Sequence, residues 1–498
     1  MIRYRSTRDT KHDFDTVSSA EAIKKGLAPD GGLYVPTKYP VFSDGDFNTL
    51  RNMNYAEKAA YILSMFLEDY DEDELLKACR EAYSEKRFTT GIAGTAAPLR
   101  RINDGIYSLE LWHGPTSAFK DMALQIMPRL LSLALKMTGE TNTAHILVAT
   151  SGDTGKAALE GYKDVDGVKI TVFYPVDGVS NMQKRQMQTT TGSNVHVTAV
   201  RGNFDDAQTG VKLIFQDKSL AKKALDHGFF FGSANSINWG RLAPQIVYYV
   251  SAYYDLVKEG RIPFGQKINI CVPTGNFGNV FAAYIAKTMG LPVNKLIVAS
   301  NSNNVLTDFI ETGTYDRTRE FHKTISPSMD ILISSNLERL LYTLGGAELT
   351  SELMTSLKEN GKYDAPSDIM DKLRDNFCGY YMTEEETKEI IKEVYQNHGY
   401  LMDPHTAVGY GCFSKYIRAT GDNTPVILAS TASPYKFAPA VNDALGIDSG
   451  NDDISSLEAL SSSTGTSIPH PLKEALDLEI RFDEVIDPSE MPDIPFKV

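Results

Sequence analysis

HILVATSGDTGKAALEGYKD, residues 145–164, decides how the chain is read. A short apolar, β-rich run, HILVAT, enters a glycine-rich turn, and the helical stretch KAALEGYKD leaves it. The same unit recurs on either side. KITVFYPV from Lys169 precedes VSNMQKRQMQ, and KINICVPTG from Lys267 precedes VFAAYIAKTM, while KLIVASN from Lys295 and TPVILAST from Thr424 are further strand runs. Strand, loop and helix in alternation predict right-handed βαβ units. The expected fold is therefore α/β, with mainly parallel sheets and helices on both faces. Ligands in such folds sit at the carboxyl ends of the strands.

A chain of 498 residues exceeds what one core supports, so more than one domain is expected. Residues 1–100 read as a mostly helical N-terminal domain, whose acidic run Glu68–Glu74 lies just ahead of LLKACREAY as a solvated helix start. Residues 101–307 and 399–445 carry the βαβ rhythm and form a catalytic region in two lobes. Residues 308–398, with NLERLLYTL and ETKEIIKEVYQ, read as a helical insertion, and 446–498 as a loop-rich tail.

The net charge of −14 argues against broad attraction to nucleic acid or anionic lipid. Cys79, Cys271, Cys378 and Cys412 are far apart, and no HExxH spacing occurs among nine histidines, so neither a disulfide framework nor a metal is expected. With no apolar run of bilayer length and no apolar leader, a cytoplasmic location is expected. Whether the chain acts as a monomer or a homodimer is not legible.

Five segments carry chemistry. In LWHGPTSAFKDMALQIM, from Leu111, a turn on Gly114 and Pro115 leads to Phe119 and Lys120 at the start of an apolar helix. Desolvation there would lower the lysine's proton affinity and free its amine to attack an aldehyde, although a lysine can also snorkel to the surface. PTGNFGN, Pro273 to Asn279, lies between a strand and a helix; its glycines permit close approach, and helix-start amides can cradle a phosphate, as a plain tight turn would also look. ATSGDTGKAAL, from Ala149, superficially suggests a P-loop but lacks the first glycine and the final hydroxyl, leaving a strand-end loop able to hold a carboxylate. ANSINWGRLAPQ, from Ala234, gathers Ser236, Asn238 and Arg241, of which the arginine could bind phosphate in two-pronged fashion or form a structural ion pair. STASPYKF, from Ser430, places hydroxyls at another strand end.

Taken together, HGPTSAFKD, TSGDTG, NSINWGR, PTGNFGN and STASPYKF resemble the threonine synthases of the longer bacterial and fungal type, as do the opening YRSTRD and GLAPDGGLYVP. The resemblance covers nearly the whole chain. It implies the fold of tryptophan synthase β chains, fold type II among pyridoxal-phosphate enzymes, with Lys120 as both the cofactor-carrying and the catalytic residue. Gly275, Asn276, Phe277, Gly278 and Asn279 would hold the cofactor phosphate, and Thr431, with Ser430 as the alternative, would meet the pyridine nitrogen. Ser151, Asp153 and Thr154 would bind the substrate's carboxylate end. Ser236, Asn238 and Arg241 would bind its phosphate, with Thr116, Ser117 and Lys184 as additions. The implied reaction converts O-phosphohomoserine and water into threonine and phosphate. The alternatives are a related lyase giving 2-oxobutyrate and a non-catalytic ligand-binding relative.

Overall fold

The protein is described from a computed structural model covering residues 1–150, 152–176, 179, 181–450 and 452–497. Two sheets organise it. The larger has six strands in the order Phe377–Tyr381, Val293–Ser300, Ile268–Pro273, Val426–Ser430, Ile106–Glu110 and Leu99–Asn103, all paired in parallel except the last two. The smaller has five parallel strands: Val485–Ile486, Val195–Val200, Val168–Pro175, Thr143–Ala149 and Phe229–Gly232. Strands such as Ile268–Pro273 and Val426–Ser430 are buried along their whole length, as parallel strands covered on both faces must be. The helix Pro244–Lys258 packs against the helices Gly278–Thr288 and Tyr55–Ser64, and its Tyr248, Tyr249 and Tyr253 are fully buried.

The N-terminal region pairs Tyr4–Ser6 with Tyr34–Pro36 and adds four helices, Ser19–Lys25, Asp44–Leu50, Tyr55–Ser64 and Glu72–Ala82. In the last of these, Asp71 caps the amides of Asp73 and Glu74, and the acidic residues fill the first turn, where the helix dipole favours them. Its opening YRSTRD is tied to the stretch 308–398 through Glu338. Arg8 donates to Glu338 through Nε at 2.8 Å and Nη2 at 2.6 Å, and Thr7 Oγ1 donates to the same carboxylate.

Two stretches differ from the sequence reading. Residues 308–398 are not solely helical, because FCGYY forms the edge strand Phe377–Tyr381 of the larger sheet. Gly379 makes this fit possible, since a Cβ there would lie 2.8 Å from the Thr307 Cα. The tail folds into helices Asp453–Thr464 and His470–Asp477, and Val485–Ile486 extends the smaller sheet. Its serines suggested loop, but Asp452 caps the first helix, Gly465 ends it at φ 68°, and Leu457 and Leu460 anchor it in the core.

Candidate active site

A cavity of about 740 Å³ opens where the carboxyl ends of both sheets meet. The smaller sheet contributes Ala149, Thr150 and Thr154, the larger contributes Gly275 to Asn279 and Thr431, and Ile23 to Leu27 bring in the N-terminal helix and its end.

Lys120 begins the helix Lys120–Leu124 and faces this cavity. Its Nζ donates to Ser328 Oγ at 3.2 Å and lies 3.9 Å from Asp153 Oδ2. Burial lowers its proton affinity more than Asp153 restores it, and Lys436 and Arg241 push the same way as burial. That is the environment a nucleophilic amine needs. The turn before it is tightly fixed. Phe119 N–H donates to Thr431 O at 2.8 Å, Ser433 N–H donates to Ser117 O at 3.0 Å, and Ser117 sits at φ 57°.

The PTGNFGN segment is a strand-to-helix loop. Phe277 adopts the left-handed region at φ 63°, and the helix Gly278–Thr288 starts without a side-chain cap, so its first amides lack intrahelical partners. The loop is held from behind, with Ser334 Oγ donating to Gly275 O at 2.6 Å and Asn336 donating to Asn276 O through N and Nδ2, each at 3.0 Å. Asn279 Oδ1 accepts from the hydroxyls of Tyr248, at 2.7 Å, and Tyr249, while its Nδ2 is buried without a partner. These features fit an anionic group such as the phosphate of pyridoxal phosphate: uncapped amides, an unsatisfied amide donor and a loop too close to Ser328 to accept a larger residue at 275.

Arg241 also lines the cavity and is 5% exposed. Its Nη1 donates to Ala234 O at 2.8 Å, its Nε is buried without a partner, and no carboxylate pairs with it among the described residues. Burial draws its proton affinity down to about 10. A guanidinium left charged and uncompensated inside a cavity is prepared for an anion.

The geometry redirects several assignments made from sequence. Asn238 lines the cavity, but its amide caps the helix Trp239–Leu242 by accepting from Gly240 N–H at 2.8 Å and donates to Ile23 O at 2.8 Å. Thr116 is spent on Asp121, to which its N–H and Oγ1 donate at 2.8 and 2.9 Å. Asp153 cannot receive a carboxylate: it is itself an anion, 3.1 Å from Lys436 Nζ, and although burial raises its proton affinity, Lys436 and Lys120 hold it well below the usual range. Ser117 Oγ is buried without a partner, and Ser236 and Thr154 line the cavity. Lys184, in the helix Asn181–Gln188, is not among the described residues lining it, and Ser151 lies outside the described residues. Ser430 is engaged by Trp112 Nε1 at 3.0 Å and Thr406 Oγ1 at 3.1 Å, which leaves Thr431 as the strand-end hydroxyl facing the cavity.

Sequence reasoning missed Lys436, Ser328 and His405. Lys436 is in the quoted STASPYKF, and its buried amine bridges Asp153 and Thr116 O, at 2.7 Å. His405 lines the cavity from DPHTAVG, where the only local signal was a histidine directly after an aspartate-capped proline.

Comparison with known proteins identifies the family and the fold. The family described as pyridoxal-phosphate dependent enzyme matches residues 95–431, so fold and site together define a fold type II pyridoxal-phosphate enzyme. The threonine synthase N terminus matches residues 3–83, and the threonine synthase C-terminal family matches 406–491. Threonine synthase of Pseudomonas aeruginosa is 40% identical over 447 residues, covering 89% of this chain and 90% of that protein. The crystal structure of pyridoxal-phosphate-bound threonine synthase from Brucella melitensis superposes with a TM-score of 0.88 at 35% identity, covering 100% of this chain and 98% of that one. The chain belongs to the threonine synthase family. Human threonine synthase-like 1 is 41% identical over 471 residues, and this chain spans 62% of its length.

Proposed function

We propose that the chain converts O-phosphohomoserine and water into threonine and inorganic phosphate, with Lys120 carrying pyridoxal phosphate. The observation that carries this reading is the convergence on one cavity of a desolvated lysine amine, an uncapped glycine loop and an uncompensated arginine.

The loop Gly275–Asn279 would hold the cofactor phosphate through its amides and Asn279 Nδ2, and Thr431 would meet the ring nitrogen. When bound, the cofactor supplies an electron sink for the charge left when a carbon-bound proton is removed. Lys120 moves the protons. Its amine takes one from the α carbon and one from the β carbon, and returns protons to the γ and α carbons. Arg241 compensates the substrate phosphate as the bond between the γ carbon and oxygen breaks, and water then adds at the β carbon. Asp153, locked to Lys436, keeps a negative charge near the Lys120 amine and steadies it between transfers. Ser236 and Thr154, which line the cavity, are the remaining hydroxyls we assign to substrate.

Borohydride treatment of the purified holoprotein tests the assignment. The cofactor should become fixed to one peptide containing Lys120, and Lys120→Ala should release no phosphate from O-phosphohomoserine. A label on any other lysine, or phosphate release by the variant near the wild-type rate, contradicts the reading.

A further inference from the structure

The turn Pro327–Met329 lies against the glycine loop, so closely that a Cβ on Gly275 would stand 2.6 Å from Ser328 O. The base of the turn is fixed by Asn301 Nδ2, which donates to Ser326 Oγ at 2.9 Å and Asp330 Oδ1 at 2.8 Å, and by Thr324 N–H, which donates to Asp330 Oδ2 at 2.9 Å. Its tip is fastened differently. Ser328 N–H donates to His405 Nε2 at 3.1 Å, and His405 Nδ1 lies 2.6 Å from Asp403 Oδ2.

These partners set the tautomer. A backbone amide can only donate, so Nε2 is the acceptor and Nδ1 carries the proton toward the carboxylate. Asp403 is itself fully buried and is held as the cap of the helix Pro404–Thr420, accepting from His405 N–H at 2.9 Å and Thr406 N–H at 3.2 Å. Phe437 packs edge-on against the imidazole at 4.8 Å. Both imidazole nitrogens are thus engaged, one by Asp403 and one by the amide of the turn, and on the far side of that turn the Ser328 hydroxyl stands 3.2 Å from the Lys120 amine.

We infer that the Ser328 hydroxyl orients the Lys120 amine for its proton transfers, and that His405 is a positioning residue that acts by holding Ser328. The inference rests on the reading of Lys120 as the reacting amine. A lysine serving several carbons must swing on a flexible stem, and a hydroxyl beside its nitrogen limits that swing while remaining able to donate or accept in either protonation state. Imidazole suits its place because it donates to Asp403 and accepts from Ser328 at the same time, as neither a protonated nor an aliphatic side chain can. Glutamine can supply a neutral acceptor at a similar reach.

The test compares Ser328→Ala, His405→Ala, His405→Gln and the double variant Ser328→Ala with His405→Ala. Two quantities are read: the rate at which apoprotein takes up pyridoxal phosphate in borohydride-fixable form, and kcat and KM for O-phosphohomoserine. We expect Ser328→Ala and His405→Ala each to slow uptake about tenfold and to lower kcat on the order of 10- to 100-fold with KM changed less than about threefold. His405→Gln should recover most of both, and the double variant should be no slower than Ser328→Ala alone. The inference is overturned if Ser328→Ala retains wild-type uptake and kcat, if His405→Gln is as damaged as His405→Ala, or if the two losses multiply. Ser328→Ala removes one hydroxyl from an exposed turn residue, so it reports even if His405→Ala fails to fold. Should borohydride fix the cofactor of the wild-type protein elsewhere than Lys120, the earlier reading fails; should it fix Lys120 while Ser328→Ala behaves normally, only this inference does.

Discussion

Keeping a guanidinium inside a protein without a carboxylate beside it costs stability, and Arg241 is kept so, with Nε unpaired and one carbonyl as its hydrogen-bond partner. An anionic substrate relieves that cost only while bound. Arg241→Ala should therefore lower kcat/KM for O-phosphohomoserine by about 30- to 1,000-fold, the equivalent of roughly 2 to 4 kcal/mol for a charge-assisted contact. The absorbance of the bound cofactor should persist, because we assign the cofactor phosphate to a separate loop, and Arg241→Lys should recover only part of the loss. Steady-state kinetics beside the visible spectrum check this; loss of cofactor from the variant would move Arg241 to the other phosphate. At this scale Lys120, the glycine loop and Arg241 were singled out by the joint resemblance of five motifs, each segment alone being open also to a snorkelling lysine, a tight turn or a structural ion pair, and the structure brings all three to one cavity. Lys436, Ser328 and His405 were not singled out, because their roles come from partners far away in sequence, as Lys436 with Thr116 and Asp153, or Ser328 with His405.

Among the elements, the strand-to-helix loop at 273–279 shows how the structure sharpens a sequence argument. From sequence, Gly278→Val should loosen the cofactor, since a β-branched residue restricts the backbone and crowds the loop. In the structure the tighter position is Gly275: a Cβ there meets Ser328 O at 2.6 Å, whereas one at Gly278 meets Asn336 Nδ2 at 3.3 Å. Gly275→Ala should thus raise the dissociation constant for pyridoxal phosphate by at least about tenfold, and Gly278→Ala by much less. Equilibrium titration of the two apoproteins checks the order, and equal affinities would contradict it. The parallel strands Thr143–Ala149, Val168–Pro175, Ile268–Pro273, Val293–Ser300 and Val426–Ser430 were legible from their continuous apolar runs. Phe377–Tyr381 was not, because five residues with a central glycine between two strong helical patterns carry little strand signal, and only pairing with Val293–Ser300 makes them one. The helices of the tail were hidden by serines that propensity assigns to loops, until Leu457 and Leu460 found a core.

Across the whole molecule, three parts of the chain close one site. The two sheets bring their carboxyl ends together, and the N-terminal region supplies a wall through Ile23 to Leu27. Arg339 binds these parts to each other: its fully buried guanidinium donates to Tyr34 O at 3.1 and 3.0 Å, to Ile237 O at 2.5 Å and to Asn336, which in turn holds the glycine loop. In the reaction we propose, a cavity so assembled would shelter the substrate from bulk water and favour a chosen water adding at the β carbon over uncontrolled release of a reactive product. The identity of the product is therefore the most direct test. Purified holoprotein incubated with O-phosphohomoserine in deuterated water should yield threonine and phosphate in equal amounts, with deuterium bound at the α and γ carbons. Formation of 2-oxobutyrate and ammonia in place of threonine, or no release of phosphate, would contradict the account.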